Sequence, residues 1–527
     1  MRQDTELLTL ADAVAFHART RPDAIAFVAG DAEMSFALLD RRANQVARAL
    51  QALGVTPGSH VAWLGKNSIE FMEVAASTVR CGAVFTPLNW RLAAAEVAVM
   101  LDDCAAPLIL VDAEYLAMVE ALRPGLAYLK NCICVGGTVP PGWEDYAAWR
   151  DRQSAEAVHH AAAPGDIALL IYTSGTTGRP KGVMLSHRNV RSLPGLEYGE
   201  GWPQWNQWAP EDTSLVTSPM FHVGGIGWVV RALFPGSRQI ILREFSPKGV
   251  IDALKRHRIT RMALVPSAMR MVLQEPDTAT TDLSSLQYIY YGTSPIPLAL
   301  LRDGMQVFGC RFVQSYGQTE TASCIVCMAP DDHTLEDLPH MRAAGKPLPG
   351  VEIVIQDESG KVLPTGAIGE IVTRSTSNMA GYLNLPDETA ATLRPGGWLR
   401  TGDAGRFDDK GFLYVQDRIK EMIITGGENV YPAEVENALY GHPAVGDVAV
   451  IGVPSEKWGQ AVKAVVELRP GQQATEAELI AWARQRIGGY KLPKSVDFIA
   501  ALPRNTTGKV VKGELRKLYA QQAGSAP

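Results

Sequence analysis

The stretch YTSGTTGRPKG, from Tyr172 to Gly182, contains three glycines, four serine or threonine residues and one lysine. Backbone N–H groups and small hydroxyl side chains beside a cation are typical of loops that hold a phosphate chain. The stretch is not a Walker motif, because no glycine stands five residues before a Gly-Lys-Ser/Thr triplet. It follows the apolar run DIALLIYTS and precedes SHRNVRSL, in which Ser186 can begin a helix. We therefore predict a phosphate-binding loop that joins a buried strand to a helix.

Helix and strand patterns alternate along the first third of the chain. SFALLDRRANQVARALQALG and SIEFMEVAASTVRCG have the helical spacing of apolar residues, whereas HVAWLG and PLILVD have the composition of short buried strands. This alternation predicts a largely parallel sheet with helices on its faces. Residues 131–165 are richer in Pro, Gly and Ala, which predicts a surface connection there.

The C-terminal part of the chain has a different pattern. DVAVIGVP and AVKAVVELRP indicate strands, and PAEVENALYGHP indicates a helix that begins at Pro432 and stops at Gly441. TEAELIAWARQRIG indicates a helix with a capping box of Thr475 and Glu478. Together they predict a compact α+β unit of about 100 residues, preceded by a candidate hinge in DRIKEMIITGG. The predicted fold class is α/β, with a large N-terminal α/β domain and a smaller α+β C-terminal domain.

The composition is that of an ordinary globular enzyme. The chain has 527 residues, too many for one typical core, with 46% hydrophobic and 20% charged residues and a formal net charge of −6. No long run of one charge sign occurs, which argues against a nucleic-acid partner. The start MRQDTELLTL has acidic residues where a signal peptide is basic, and no apolar run approaches membrane-spanning length. We therefore expect a cytoplasmic protein with no integral membrane segment.

Seven cysteines fit this expectation, and four of them form close pairs, Cys132 with Cys134 and Cys324 with Cys327. The residues between Cys324 and Cys327 are Ile and Val, which favour a buried strand. A structural zinc site needs a second pair or nearby histidines, and neither accompanies the C-x-x-C. We therefore favour core residues over zinc or redox chemistry.

Four further segments combine polar residues with glycines. In SYGQTE, Tyr316 can stack on a base and Glu320 can hold Mg²⁺, although a polar turn with a packed tyrosine also explains that segment alone. In GWLRTGDAG, Asp403 is placed in a glycine-flanked turn, where a carboxylate can accept bonds from two ribose hydroxyls. In PRNTTGKVVKGELR, Lys509 can reach into a cleft or remain solvated. In PMFHVGGIGW, His222 is either a core residue or a catalyst beside open space.

Taken together, these segments resemble the adenylate-forming superfamily, which includes acyl-CoA synthetases, free-standing adenylation domains and beetle luciferases. The resemblance spans nearly the whole chain and rests on five motifs in the family's order: YTSGTTGRPKG, YGQTE, GWLRTGDAG, DRIKEMIITGGENVYPAEVE and PRNTTGKVVKGELR. It implies an enzyme that joins a carboxylic acid to ATP, which gives an acyl-AMP and pyrophosphate, and then transfers the acyl group to a thiol, usually coenzyme A. It also implies an N-terminal domain at 1–417, a hinge at 418–420 and a mobile C-terminal domain at 421–527.

The resemblance implies a role for each motif residue. Lys509 bridges the substrate carboxylate and the α-phosphate, Thr319 contacts the α-phosphate, and Glu320 holds Mg²⁺; with His222, these are the expected catalytic residues. The residues expected around the β- and γ-phosphates are Thr173, Ser174, Gly175, Thr176, Thr177, Gly178 and Lys181. Those expected around adenine are Tyr316 and Gln314, and those expected at the ribose are Asp403 and Arg418. The residues expected to act in the second half-reaction are Lys420 at the hinge, Gly426 and Gly427 in the pantetheine tunnel, and Trp458 against coenzyme A.

Two departures from the family pattern concern the acid. Amino-acid-activating relatives carry an aspartate near His222, and its absence from FHVGG makes an α-amino acid a poor substrate, since its ammonium would be buried unpaired. YYGTSPIP has Thr293 and Ser294 where relatives often have small apolar residues. A hydrophobic fatty, aryl or other bulky acid is expected, in a pocket formed by His222, Val223, Gly224, Gly227, Trp228, Gly292 and Thr293.

The leading hypothesis is therefore an AMP-forming carboxylate–CoA ligase that uses ATP, Mg²⁺ and coenzyme A. Three alternatives remain at this level: an enzyme that loads a phosphopantetheinyl carrier protein, a luciferase-like oxygenase, and a nucleotide-binding scaffold without catalysis. The scaffold is disfavoured because simple nucleotide binding does not need both Glu320 and Lys509. The sequence does not name the acid, and it leaves the oligomeric state open, with a homodimer as one option.

Overall fold

The computed structural model describes residues 7–173, 180–192, 202–418, 421–425, 428–455, 457–505 and 508–523. Four sheets organise these residues. The sheet that borders the YTSGTTGRPKG stretch has eight strands, which in spatial order are β19 (Gly381–Tyr382), β9 (Lys181–Ser186), β8 (Ile167–Thr173), β4 (Val84–Leu88), β3 (His60–Leu64), β5 (Leu108–Asp112), β6 (Asn131–Val135) and β7 (Glu144–Asp145). From β8 to β7 the strands are parallel, whereas β8 with β9 and β9 with β19 are antiparallel.

A second large sheet has nine strands. In spatial order they are β16 (Lys346–Pro347), β15 (Ser323–Met328), β14 (Arg311–Gln318), β13 (Tyr288–Gly292), β12 (Arg261–Ala263), β10 (Thr213–Val216), β11 (Arg238–Ile241), β1 (Ile25–Ala29) and β2 (Ala32–Ser35). Its centre, from β14 to β1, is parallel, and its edges are antiparallel.

Two smaller sheets complete the fold. The first contains β17 (Glu352–Gln356), β18 (Gly369–Arg374), β20 (Leu393–Arg394), β21 (Trp398–Phe407) and β22 (Leu413–Arg418). The second belongs to the C-terminal part and contains β23 (Ile423–Thr425), β24 (Glu428–Val430), β25 (Val445–Ser455), β26 (Gly459–Leu468) and β27 (Ser495–Phe498). The C-terminal sheet has its own apolar core, which includes Val435, Val450, Val462 and Leu479.

The helices cover the faces of these sheets. Their bounds are α1 Leu10–Thr20, α2 Phe36–Ala52, α3 Ile69–Arg80, α4 Ala94–Asp103, α5 Leu116–Leu122, α6 Tyr146–Asp151, α7 His187–Arg191, α8 Val223–Leu233, α9 Pro247–His257, α10 Pro266–Gln274, α11 Leu298–Phe308, α12 Pro386–Thr392, α13 Pro432–Tyr440, α14 Glu476–Arg484 and α15 Lys512–Ala523. Helix α8 lies between the two large sheets and is apolar on nearly all sides, as expected of a fully buried helix.

The predicted fold class is confirmed: the protein is a mixed α/β structure with a large N-terminal part and a separate C-terminal α+β unit. The helices expected from the quoted stretches are present, and the capping box of Thr475 and Glu478 is formed. The boundaries 1–417, 418–420 and 421–527 remain predictions. No helix of the described residues is both long and apolar enough to cross a membrane.

Two predictions about connecting segments were wrong. The YTSGTTGRPKG stretch joins two antiparallel strands, β8 and β9, and helix α7 begins only after β9. The cause is the apolar run in KGVMLS, which pairs with β8 as strand β9 before Ser186 caps the helix. Residues 131–165 are not a simple surface connection either, because they contain the buried strand β6 and helix α6, with Cys132, Cys134 and Trp149 in the core.

Candidate active site

The two ends of the opening loop lie directly opposite each other. Thr173 ends β8 and Lys181 begins β9, and the two residues are partners in the antiparallel ladder. The Thr173 hydroxyl donates to the Lys181 carbonyl oxygen at 3.4 Å. The strand pair therefore holds both ends of the predicted phosphate loop in a fixed register. The loop residues between them lie outside the described residues, and they include the predicted Ser174, Gly175, Thr176, Thr177 and Gly178.

Lys181 and Glu320 meet at a tyrosine that the sequence analysis missed. The Lys181 ammonium lies 5.0 Å from the centre of the Tyr382 ring, and the Tyr382 hydroxyl donates to Glu320 Oε1 at 2.9 Å. Tyr382 reaches this position because β19 pairs with β9, and its signal in the sequence is only a Gly-Tyr pair in MAGYLN. Glu320 Oε2 makes no hydrogen bond within the described part of the chain. A carboxylate with one oxygen held and one open, next to a cation, has the chemistry to hold Mg²⁺ beside a phosphate chain.

Strand β14 carries the predicted adenine and α-phosphate residues. It runs through Gln318, so SYGQ is strand rather than turn, and Thr319 and Glu320 form the short 3-10 helix that follows. Thr319 is buried. A bulge interrupts the pairing with β15 next to Tyr316, and a Cβ on Gly317 would overlap the Ser323 carbonyl oxygen. Glycine at this position therefore allows the two strands to approach while the chain turns toward Glu320.

Tyr316 and Asp403 form one unit. The Tyr316 hydroxyl donates to Asp403 Oδ2 at 2.7 Å, and Asp403 is only 7% exposed. The prediction of a glycine-flanked turn at Asp403 was wrong, because this residue lies within the long strand β21. Gly402, with φ of +73°, supplies the local irregularity that the glycines indicated. Asp403 is the ladder partner of Arg418 on β22, whose side chain lies outside the described residues.

Gln314 also lies on β14 but is held by other side chains. The Tyr291 hydroxyl donates to Gln314 Oε1 at 3.2 Å, and the same hydroxyl is 3.0 Å from His333 Nε2. The Gln314 amide group is thus oriented by a second layer of residues. Its predicted contact with adenine remains a prediction.

Lys509 lies on a braced hairpin of the C-terminal unit. The Asn505 N–H donates to the Lys509 carbonyl oxygen at 2.7 Å, and the Lys509 N–H donates to Asn505 Oδ1 at 2.9 Å. Arg504 donates to the Gly508 carbonyl oxygen at 2.8 Å and forms an ion pair with Asp447. A Cβ on Gly508 would lie 2.7 Å from Ser267 Oγ in α10. The hairpin therefore lies against helix α10, with Lys509 next in sequence to the glycine that approaches Ser267.

Two ion pairs join the C-terminal unit to the rest of the protein near this hairpin. Asp447 of β25 lies 3.6 Å from Arg270 of α10, and Lys512 of α15 lies 3.4 Å from Asp417 of β22. Lys512 also lies 2.9 Å from Glu436, and these carboxylates together raise its pKa despite its burial. Lys420, Gly426 and Gly427 are outside the described residues.

Helix α8 carries most of the predicted acyl pocket. His222 is its N-cap, and the His222 Nδ1 atom accepts a hydrogen bond from the Gly224 N–H at 3.1 Å. Burial lowers the pKa of His222 to about 4. The ring is therefore neutral at pH 7, with Nδ1 as the acceptor and the proton on Nε2.

The other predicted pocket residues of α8 lie on two different faces of this helix, whereas Gly292 and Thr293 lie at the end of β13. Val223 and Gly227 face the eight-stranded sheet, where a narrow apolar crevice is lined also by Leu169 and Leu185. Trp228 faces the nine-stranded sheet instead: its indole N–H donates to the Leu215 carbonyl oxygen at 3.1 Å. The structure therefore does not bring all the predicted pocket residues onto one wall.

The glycines near the predicted pocket have different environments. A Cβ on Gly225 would overlap the Pro219 carbonyl oxygen, and one on Gly292 would overlap the Ser315 carbonyl oxygen. These two glycines serve close backbone packing. A Cβ on Gly224 would meet only the His222 ring, at 3.4 Å, so Gly224 lies beside usable space. Thr293 has φ of +67°, a left-handed conformation that is strained for a β-branched residue.

Cys324 and Cys327 lie buried on β15 with their sulfur atoms 3.2 Å apart. The hydrogen bond from Cys327 lowers the pKa of Cys324, and the positive charge of Arg231 acts in the same direction. Within the described residues no group of His, Cys, Asp and Glu could hold a metal ion by itself. Both cysteines are buried, so the pair lies in the core, as its sequence indicated.

Trp458 lies on the surface of the C-terminal unit. This residue is 38% exposed. The ammonium groups of Lys457 and Lys494 lie 4.9 and 5.5 Å from the centre of its ring. An exposed aromatic ring beside two cations suits a phosphate-bearing ligand, and the predicted contact with coenzyme A remains a prediction.

Comparison with known proteins identifies relatives along the whole chain. The sequence profile of the family described as AMP-binding enzyme matches residues 14–383, and that of the AMP-binding enzyme C-terminal domain matches residues 434–509. The fatty acid–[acyl-carrier-protein] ligase ScoC of Streptomyces coeruleorubidus is 38% identical over 98% of this chain and 97% of its own. The feruloyl-CoA synthase of an Amycolatopsis species is 37% identical over 95% and 97%. The crystal structure of ATP-bound MatB from Rhodopseudomonas palustris superposes with a TM-score of 0.88, at 30% identity over 98% and 99% of the two chains.

Proposed function

Because this chain belongs to the AMP-binding enzyme family, we propose that it is an AMP-forming acid–thiol ligase. It activates a hydrophobic carboxylic acid with ATP, which gives an acyl-AMP and pyrophosphate, and then transfers the acyl group to coenzyme A with release of AMP. The observation that carries the proposal is that Lys181 and Glu320 meet at Tyr382, and that Glu320 directly follows the strand whose Tyr316 holds Asp403. The site thus brings together a cation for the phosphate chain, a carboxylate that can hold Mg²⁺ and a carboxylate that can bind the ribose hydroxyls.

The first half-reaction brings two anions together, and the residues of the site offset that charge. Lys181 faces the phosphate chain, and Glu320 would hold Mg²⁺, which neutralises phosphate charge when bound. Tyr316 lies against adenine while its hydroxyl holds Asp403, which accepts bonds from the ribose hydroxyls. Lys509 places a fixed cation between the attacking carboxylate and the α-phosphate, where charge develops in the transition state.

The second half-reaction uses a different orientation of the C-terminal unit. We propose 1–417 and 421–527 as the moving bodies and 418–420, with Lys420, as the hinge. The rotation separates Lys509 from the acyl-AMP and brings Gly426, Gly427 and Trp458 to the thiol. The Arg270–Asp447 and Lys512–Asp417 ion pairs join residues on the two sides of this hinge, so the rotation has to break them.

The acid is expected to be apolar next to its carboxylate. His222 is neutral and the surroundings of α8 are apolar, so no described group here pairs with an ammonium. Gly224 and Trp228 are proposed to line the pocket on the side of the nine-stranded sheet. Val223 and Gly227 line the separate crevice on another face of the helix, and Gly292 shapes the wall by allowing β13 and β14 to pack closely.

Pyrophosphate release tests the proposal. The enzyme is incubated with ATP, Mg²⁺ and a panel of fatty, aryl and bulky alicyclic acids, with and without coenzyme A, and AMP and acyl-CoA are measured in parallel. The proposal predicts acid-dependent pyrophosphate, and AMP with acyl-CoA only when the thiol is present. Release of ADP and phosphate, or no dependence on any acid, would contradict it.

A second candidate function has a specific observation in its favour. The relative from Streptomyces coeruleorubidus is a fatty acid–[acyl-carrier-protein] ligase by name and matches nearly the whole chain. We propose carrier loading as the alternative second half-reaction. The same assay with a phosphopantetheinylated carrier protein in place of coenzyme A separates the two acceptors by the ratio of their kcat/KM values.

A further inference from the structure

Two buried arginines share the same group of aromatic rings, and they differ in how their charges are compensated. Arg261 of β12 stacks on Trp208 at 4.9 Å, and its Nε atom pairs with Asp212 at 3.0 Å. Its remaining donors reach the carbonyl oxygens of Trp205 and Gln207 at 3.0 and 2.8 Å. Arg261 is therefore a satisfied structural ion pair, as buried charges usually are.

Arg231 of α8 lacks this compensation, although it is only 7% exposed. It makes no ion pair with a carboxylate of the described residues, and its one side-chain hydrogen bond among them goes to Asn206 Oδ1. The Arg231 Nε atom and the Asn206 Nδ2 atom are both buried with no acceptor among the described residues. Aromatic rings partly offset the charge, since the guanidinium lies 5.0 Å from Tyr290 and 6.0 Å from Trp228. Two neighbouring buried donors without an acceptor are costly, and an arriving oxygen atom would remove that cost.

Arg231 lies on the face of α8 that carries the proposed acyl pocket. Gly224, Trp228 and Arg231 are spaced i, i+4 and i+7, so they share one face of α8, roughly a third of a turn around the helix from the face that lines the apolar crevice. Trp228 and Tyr290 contact each other, with ring centres 5.2 Å apart. The helix rises about 13 Å between His222 and Arg231. Arg231 therefore lies at the far end of the pocket face, away from the end that His222 caps.

We propose that Arg231 and Asn206 form an oxygen-binding subsite for the distal end of the acid. This inference rests on the proposed function and narrows its substrate class: an acid with an apolar middle section and a hydrogen-bond-accepting oxygen, either a second carboxylate or an oxo group, at the end remote from the reacting carboxylate. The oxygen accepts from Arg231 Nε and Asn206 Nδ2. An acid that ends in a methyl group leaves both donors buried without an acceptor, and it is rejected for that reason.

The test compares acids of equal length that differ only at the distal end. Straight-chain acids of about eight to twelve carbons with a terminal methyl group, a ketone near the end, or a second carboxylate are assayed by acid-dependent pyrophosphate release. The wild-type enzyme is expected to prefer acceptor-bearing acids by about 10-fold or more in kcat/KM. The ketone and the dicarboxylate distinguish a neutral acceptor from an anionic one.

Two variants test the residues themselves. Arg231→Met removes the donors and keeps the apolar stem, so the preference should disappear while the methyl-ended acid improves. Asn206→Asp supplies a carboxylate from within the protein, so it should also abolish the preference while keeping or raising the melting temperature. Asn206→Asp therefore decides the question even if Arg231→Met does not fold. Arg261→Met is the matched control, and it should lower the melting temperature and the activity on all acids together.

The possible results distinguish a failure of the proposed ligase function from a failure of the oxygen-binding subsite. No acid-dependent pyrophosphate with any acid would overturn the proposed function itself. Pyrophosphate release that is equal for methyl-ended and acceptor-bearing acids in the wild-type enzyme would overturn only the subsite. So would a preference that persists unchanged in a folded Arg231→Met or Asn206→Asp variant.

Discussion

The nucleotide side of the site and the Lys509 hairpin are built in opposite ways. Tyr316, Asp403, Glu320 and Tyr382 lie on or directly after strands, and hydrogen bonds of 2.7 and 2.9 Å hold them in pairs. Lys509 lies on a hairpin of the C-terminal unit, which is braced within itself, and among the described residues the ion pairs Arg270–Asp447 and Asp417–Lys512 join that unit to helix α10 and strand β22. This difference agrees with the proposal that the nucleotide site is formed within the sheets, whereas the C-terminal unit brings Lys509 to it for the first half-reaction.

The largest expected effect follows from removing the delivered cation. Lys509→Ala should slow acyl-AMP formation by about 100-fold or more, because a fixed cation is worth most where charge develops. Single-turnover pyrophosphate release measures this rate. Lys517→Ala is the control on an exposed lysine of α15, outside the hairpin, and an equal loss there would show that the effect is not specific to Lys509.

The nucleotide side of the site is tested at the Glu320 carboxylate. Glu320→Gln should raise the Mg²⁺ concentration needed for half-maximal adenylation by about 10-fold, since an amide is a poor ligand for this ion. Tyr382→Phe keeps the Glu320 carboxylate and removes only its 2.9 Å hydrogen bond, so the Mg²⁺ concentration needed for half-maximal adenylation should rise less than in Glu320→Gln. A magnesium titration of both variants checks the order, and unchanged curves for Glu320→Gln would reject the assignment.

Two adjacent glycines, Gly224 and Gly225, distinguish a role in lining the acyl pocket from a role in close backbone packing. Gly225→Ala should destabilise the protein by about 1–3 kcal/mol, because the new Cβ would overlap the Pro219 carbonyl oxygen. Gly224→Ala should leave the melting temperature nearly unchanged and raise the KM for bulky acids more than for short ones. Thermal unfolding together with KM profiles checks both. Equal losses on all acids in Gly224→Ala would place this glycine outside the pocket.

The smallest expected effect concerns pH. The pKa of His222 is lowered from 6.5 to about 4, so between these values the unfolded chain binds the proton that the folded protein excludes. Stability should therefore fall as the pH falls through this window, by at most ~1.4 kcal/mol per pH unit from this group. His222→Asn keeps a helix-capping side chain and should lose less stability between pH 7 and pH 5 in urea unfolding. His333, whose pKa is also lowered to about 4, remains in both proteins, and equal slopes would contradict the role of His222.

The sequence predicted those features that depend on local pattern. Helix caps and strand composition indicated the fold class. The five motifs implied the candidate site by resemblance, and of the residues implied for the ribose, Asp403 and Arg418 are partners in the strand register. Features set by long-range strand pairing were missed: Tyr382 joins Glu320 only because β19 adds to the edge of β9. The sequence also did not predict which residues of α8 face which large sheet, because the helix is apolar all round and its pattern is the same on every side.

Delivery of Lys509 by the C-terminal unit is tested most directly by comparing the two half-reactions in Lys509→Ala. Acyl-AMP is prepared separately and mixed with enzyme and coenzyme A, and the rate of acyl-CoA formation is set beside the rate of acyl-AMP formation from acid and ATP. A delivered cation predicts that the first half-reaction falls by about 100-fold or more while the second keeps most of its wild-type rate. An equal fall in both half-reactions would contradict the account.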